Sequence, residues 1–222
     1  MIIYHGHPSP TSIEQCRDAA PSYTHGAEWS PAKMTPHDWP FILDNGAYHA
    51  FVNGFPWDAT AFVGRLNQID SMPRDPDFVV LPDSVANPEE TKERSQQWAD
   101  LVKFRTAFAV QNGLNSEEAV QFADRIGAGV LFVGGTINWK RKHAPEIVEA
   151  AHDHGLECHI GRPSDLVWAR DIGADSVDTI SIVRNESWGR LRRLEQNSSI
   201  QLSLIHATEG GRDVVSNTGN EQ

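Results

Sequence analysis

Cysteine is almost absent from this chain: Cys16 and Cys158 are the only two among 222 residues. They stand far apart and in no metal-ligand spacing, which excludes a disulfide framework and any multi-cysteine zinc knuckle. Both read as reduced, partly buried thiols. Long apolar runs are absent too, and none approaches the roughly 20 residues that span a bilayer. The opening Met1-Ile2-Ile3-Tyr4-His5 lacks the basic segment and long apolar stretch of a signal peptide. The expectation is a cytoplasmic protein without a membrane partner. Basic residues are scarce, 19 Lys and Arg against 30 Asp and Glu, for a net charge of -11. That balance argues against tight non-specific binding of nucleic acid, which depends on neutralising phosphates. Two readings remain: a small uncharged substrate, or a halophile-type acidic surface with local basic contacts at the site.

What is present is an alternation of short apolar runs with amphipathic stretches. Strands are expected at Ile2-Tyr4, Phe41-Leu43, Phe78-Leu81, Ala107-Val110, Val130-Val133, Glu157-Ile160 and Ser176-Ile180. Most are apolar on both faces, as strands of a parallel sheet covered on both sides are. Helices are expected between them. Thr11 or Ser12 caps the first, Asp58 another, and Asn87-Pro88-Glu89-Glu90 opens one reaching Val102. Asn115 or Ser116 with Glu118 starts the next, which Gly127 ends. Pro145-Glu146 lies in a helix closing at Gly155, and Pro163-Ser164-Asp165 precedes one closing near Gly173.

This β–α repetition fits a barrel or a doubly wound sheet. Asp44, Asp83, Gln111, Gly134-Gly135, Gly161-Arg162 and Asp178 each stand at or just past the end of an expected strand. In a barrel such ends converge on one mouth, whereas an open sheet strings them along an edge. The pattern therefore favours an α/β fold of the TIM-type (β/α)8 barrel class, compact or incomplete against a usual length of about 250 residues. Residues 1–208 are expected to form one catalytic domain and 209–222 a disordered tail. Residues 20–40, with Pro, Trp and His but little periodicity, read as a loop that serves as a lid.

Several residues are candidates for chemistry. Asp178, in Asp175-Ser176-Val177-Asp178, can act as a nucleophile at an anomeric carbon if a partner protonates the leaving group. Asp44, in Leu43-Asp44-Asn45-Gly46, is a carboxylate at the end of an apolar strand, although Asp-Asn-Gly is also a plain turn signal and the motif alone is weak. Asp83 can accept hydrogen bonds from a guanine-like edge, and Gln111 can read the same edge with its amide. Gly134 and Gly135 let backbone approach a flat ligand, and are equally usual in a βα turn. His5 with His7, and His154, Cys158 and His159, lack the carboxylates that complete a defined metal site, so neither metal nor cofactor is expected. Arg184, Arg190, Arg192 and Arg193 form one basic cluster, and Lys140, Arg141, Lys142 and His143 a second, beside Trp139. These are the phosphate-contact candidates, with Arg162, Arg184 and Lys140 nearest the expected mouth.

Taken in order, the strand-end segments resemble the tRNA-guanine transglycosylase superfamily. Leu43-Asp44-Asn45-Gly46-Ala47 looks like its Asp-Ser-Gly-Gly-Phe segment, and Val110-Gln111-Asn112-Gly113 like its Val-Gln-Gly-Gly. Val133-Gly134-Gly135 is similar to the loop lining its base pocket, and His159-Ile160-Gly161-Arg162-Pro163-Ser164-Asp165-Leu166 to its Met-Gly-Val-Gly-x-Pro-x-Asp-Leu. Gly173-Ala174-Asp175-Ser176-Val177-Asp178 looks like Gly-x-Asp-x-Phe-Asp. The zinc site of the tRNA enzymes has no counterpart, and the details look most like the DNA-modifying branch. The resemblance implies a base-exchange glycosyltransferase that replaces guanine in DNA with a 7-deazaguanine such as preQ0. It implies Asp178 as nucleophile, Asp44 as acid/base, and Asp83, Gln111, Gly134 and Gly135 as the base pocket. DNA and the free deazaguanine base are the implied partners, with partner proteins or a homo-oligomer supplying further grip. The alternatives are a tRNA enzyme lacking the zinc site, a non-catalytic nucleobase-binding barrel, and a free-nucleoside transferase or hydrolase.

Overall fold

The structure is a computed structural model that describes residues 1–29 and 36–210, with side chains described to residue 199. Eight strands run in chain order: β1 (Ile2–Gly6), β2 (Thr24–Trp29), β3 (Phe41–Leu43), β4 (Phe78–Val80), β5 (Thr106–Val110), β6 (Val130–Val133), β7 (Glu157–Ile160) and β8 (Ser176–Thr179). Every neighbouring pair is parallel, and β8 pairs with β1 to close the ring, Tyr4 standing opposite Asp178. The chain is a complete (β/α)8 barrel. The helices are α1 (Pro10–Ala19), α2 (Ala47–Val52), α3 (Ala59–Ile69), α4 (Pro88–Ala99), α5 (Ser116–Ile126), α6 (Ile137–Asp153), α7 (Leu166–Asp171), α8 (Ser181–Arg184) and α9 (Gly189–Gly210).

The period of two along each strand divides the core into a lumen and an outer shell. Tyr4, Ile42, Phe78, Val80, Ala107 and Val130 fill the lumen. Their neighbours in sequence face outward: Ile3, Phe108, Leu131 and Val177 pack beneath α1, α5, α6 and α7, and Phe41 and Val79 pack beneath α3 and α4. Each large side chain so buried contributes about 1.5–3 kcal/mol. The lumen thus carries a solid floor of aromatic and branched residues, above which the strand ends open.

Seven strands lie where the apolar runs predict them. The eighth, β2, falls within the stretch expected to be a lid loop; residues 30–35 of that stretch lie outside the described residues. Its sequence, Thr24-His25-Gly26-Ala27-Glu28-Trp29, has no apolar run, yet its last five residues are buried. Gly26 is required here, since a Cβ would meet the Pro40 carbonyl oxygen at 2.5 Å and the Tyr4 ring at 2.9 Å. The first helix is capped by Ser9 rather than Thr11 or Ser12. Ser12 instead completes the capping box, and Pro10 occupies the first turn. Helix α6 begins at Ile137 under a Thr136 cap, well before Pro145. Asp58, Asn87 and Asn115 cap their helices as expected. Helix α9 runs to Gly210, and the rest of the expected tail lies outside the described residues. Among the described residues, no helix is long and apolar enough to cross a membrane.

Candidate active site

A cavity of about 270 Å³ opens at the C-terminal ends of the strands. Its polar lining comprises Glu28, Asp44, Asp83, Gln111, Lys140, Arg162 and Asp178, and Val80, Ala109 and Phe132 form its apolar wall. Gly134 and Gly135 also line it. The structure therefore brings together all the sequence-predicted mouth residues except Arg184, which lines a neighbouring cavity with Arg162.

Asp178, on β8, is 1% exposed. Its Oδ1 accepts from His159 Nε2 at 3.0 Å and from the Arg162 backbone N–H at 2.9 Å. Its Oδ2 lies 3.7 Å from Arg162 Nε. Burial works to raise its pKa, but the hydrogen bond and charge of His159 and the proximity of Arg162 outweigh burial, so Asp178 is held below the usual carboxylate range. His159 is itself fixed: it stacks on Phe132 with ring centroids 4.7 Å apart, and its Nδ1 lies 2.8 Å from Ser176 Oγ. Asp175, three residues before Asp178, faces outward, accepting from Cys158 N at 2.8 Å and meeting His152 Nε2 at 2.9 Å.

Arg162 has a backbone φ of 45°, a left-handed conformation uncommon for a side-chain-bearing residue. That turn aims its N–H at Asp178, and Lys140 Nζ donates to the carbonyls of Gly161 and Arg162. Lys140 is therefore a buried brace for the β7 loop rather than a phosphate contact. Burial also lowers its pKa. The Arg162 guanidinium lies over the Tyr48 ring, 4.7 Å from its centroid, and 3.9 Å from Glu28 Oε1.

Glu28, near the end of β2, was not a sequence candidate. It is 4% exposed, and burial first, then the charges of Asp178 and Asp44, raise its pKa well above the usual value. Its Oε2 is buried without a hydrogen-bond partner, and a carboxyl pushed up beside one held down favours the proton on Glu28. Asp44 is also raised, by burial and by Asp178, against the opposing pull of Arg162 and of backbone N–H groups of Gly46 and Asn45. The lumen-facing period was the available signal: Gly26 and Glu28 share one face of β2, while Ala27 and Trp29 belong to the outer cluster.

Asp83 and Gln111 bind each other. Gln111 Nε2 donates to Asp83 Oδ2, Gln111 Oε1 accepts from the Ala86 N–H at 2.7 Å, and Asn45 Nδ2 donates to Asp83 Oδ1 at 2.9 Å. Both are satisfied within the protein, so reading a base edge would require these bonds to break. Burial pushes the Asp83 carboxyl up to about 6, against the hydrogen bond from Asn45. Gly135 has a φ of 82°, and the Thr136 N–H that follows it donates to Asn112 Oδ1 at 3.0 Å; its glycine serves this turn. Gly134 has ordinary space around a notional Cβ.

Among the described residues, His5, Cys16 and His25 form the one group of three metal-capable side chains whose ligand atoms lie within 4.8 Å of one another. They lie outside the lumen, between β1, β2 and α1. His5 Nε2 meets His25 Nδ1 at 3.0 Å, His25 Nε2 meets the Ala20 carbonyl at 3.0 Å, and burial pushes the Cys16 thiol up to about 12. The sequence-level groupings do not assemble: His159 points to Asp178, while His154 bonds the Ala150 carbonyl.

No known family model matches the chain, and no curated protein matches it. Solved structures share its fold. A provisionally assigned dihydrodipicolinate synthetase from Pseudomonas aeruginosa is 12% identical with a TM-score of 0.53, over 93% of this chain and 83% of that one. A variant tryptophan synthase α-subunit from Pyrococcus furiosus is 14% identical with a TM-score of 0.53, over 91% and 97%. At such identity the likeness establishes the barrel alone. These two similar structures are synthase-type barrels, not tRNA-guanine transglycosylases. The transglycosylase recognition, the base-exchange function with its nucleobase alternatives and the glycosyltransferase activity are corrected accordingly. The physical reason is that Asp-Asn-Gly, Gln-Asn-Gly and Gly-Gly are the turns with which a barrel leaves its strands. The motifs report the fold rather than the chemistry.

Proposed function

We propose that the barrel mouth carries out general acid–base chemistry, of lyase or isomerase type, on a small polar molecule bearing a carbonyl group. The observation that carries this reading is the Glu28–Asp178 pair: two buried carboxyl groups lining one cavity, 3.9 and 3.7 Å from the same Arg162 guanidinium, with protonation preferences pushed in opposite directions. Groups whose environments separate them in this way supply a base and an acid at the same pH.

In the proposed step the Asp178 carboxylate removes a proton from the carbon beside the carbonyl. The C–H electron pair shifts into the new C–C double bond, the carbonyl π pair moves to oxygen, and Glu28 delivers its proton there. The Arg162 guanidinium stabilises the charge developing on that oxygen. Reprotonation at carbon by Asp178 and return of the oxygen proton to Glu28 restore both groups. The apolar wall of Val80, Ala109 and Phe132 excludes water from the reacting carbon.

The test is proton exchange at carbon. A panel of small oxo acids, hydroxy ketones and aldehydes, with and without phosphate, is incubated with the protein in deuterated water, and loss of C–H signals is followed by NMR. Exchange is expected in at least one class, slowed on the order of 10²–10⁴-fold by Asp178→Asn. Exchange that survives unchanged in Asp178→Asn, or none across the panel, contradicts the reading.

A further inference from the structure

We propose that the cavity beside the mouth binds the phosphate group of the substrate, with Arg184 and Arg190 as its cations. This rests on the mouth being the reaction site and adds the substrate's chemical class. The cavity, of about 550 Å³, is walled by the loops that follow β7 and β8. Its lining includes Arg162, Arg184 and Arg190, the hydroxyls of Ser164, Thr179 and Ser181, and no Asp or Glu. In a chain with 30 acidic and 19 basic residues, three guanidinium groups around one cavity without a lining carboxylate are a local concentration of positive charge.

The three arginines differ in how far their charge is already met. Arg162 is engaged with Asp178 and Glu28, at 3.7 and 3.9 Å. Arg190 is held by neutral groups alone, donating to Ser181 Oγ at 2.7 Å and to the Ser164 carbonyl at 3.2 Å, so its position is fixed and its charge unmet. Arg184 is exposed, and its guanidinium has no hydrogen-bond or ion-pair partner among the described residues. Two uncompensated, planar, fork-like donors with hydroxyls between them match a phosphate dianion, which accepts bidentate hydrogen bonds. Arg162 lines both cavities, so one molecule can place its phosphate here and its carbonyl at Asp178. A polynucleotide is the poorer occupant: it needs cations along a groove, and a net charge of -11 opposes it.

The experiment is calorimetric titration of the full chain with inorganic phosphate, beside Arg184→Ala and Asp178→Asn, with a short single-stranded oligonucleotide as a separate titrant. Wild type is expected to bind phosphate at about 1 mM or tighter. Arg184→Ala is expected to weaken binding roughly tenfold or more, as loss of a charge-assisted pair does. Asp178→Asn is expected to retain binding within a few-fold while losing carbon-proton exchange. Phosphate affinity unchanged in Arg184→Ala, or no binding by wild type, overturns the phosphate site whatever the exchange result. Oligonucleotide binding tighter than phosphate and lost in Arg184→Ala also overturns it, as a nucleic-acid surface. Exchange that persists in Asp178→Asn, with phosphate binding intact, faults only the acid–base reading.

Discussion

Burial alone would hold Asp178 and Glu28 alike as neutral acids; the donors decide between them. Asp178 receives His159, the Arg162 N–H and the Arg162 guanidinium, whereas Glu28 has Arg162 at 3.9 Å and two acidic neighbours. Activity should therefore fall at low pH, below the ordinary Asp range, as Asp178 gains a proton. It should fall again at a pH well above the ordinary Glu range, as Glu28 loses one; a pH–rate profile of the exchange reaction checks both limbs. Asp83 makes a separate prediction about stability. Its pKa is raised from 3.8 unfolded to about 6 folded, so the folded state holds the proton longer. Its contribution is full below the unfolded value and is lost as pH rises through about 6, amounting to about 3 kcal/mol at most. Urea unfolding at pH 4.5 and pH 7 should show a smaller loss of stability in Asp83→Asn than in wild type. Asp178, Asp44, Asp83 and Gln111 were legible in the sequence because each follows an apolar run. Glu28 was not, because it sits between Ala27 and Trp29 in a strand without such a run.

At the scale of elements, local chemistry and tertiary closure contribute separately. The Asn115 side chain accepts from the Glu118 N–H at 2.9 Å, and the Glu118 side chain answers at the Asn115 N–H. Asn115→Ala should cost about 1 kcal/mol in denaturant unfolding, as loss of an N-cap does. Gly26→Ala should cost more, on the order of 1–3 kcal/mol, because its Cβ would be forced against the Pro40 carbonyl and the Tyr4 ring. Thermal unfolding of the two variants orders these effects. The same contrast explains which elements could be read in advance. Asn87-Pro88 and Asn115 announce their helices by local hydrogen bonding, and apolar runs announce seven strands. Strand β2 is made by its neighbours, pairing with β1 on one side and β3 on the other, so its own composition says little. Helix α2 opens at Gly46 with a φ of 80° and no side-chain cap, and so left no signal beyond the Asp-Asn-Gly turn.

At the scale of the molecule, eight parallel strands gather residues distant in sequence at one end. Glu28 and Asp178 are brought together by pairing of β1 with both β2 and β8. The fold is shared with barrels of different chemistry, so function must be argued from the mouth. The surplus of acidic charge also acts globally. Screening by added salt should raise the melting temperature between low and moderate ionic strength, which scanning calorimetry can measure; a fall would show that attractive pairs dominate instead. The central claim is the separated protonation of the mouth carboxyls, and difference infrared spectroscopy at neutral pH tests it most directly. Wild type minus Glu28→Gln should contain the carbonyl band of a protonated carboxylic acid, while wild type minus Asp178→Asn should contain carboxylate bands. A Glu28 difference spectrum showing only carboxylate would contradict the account.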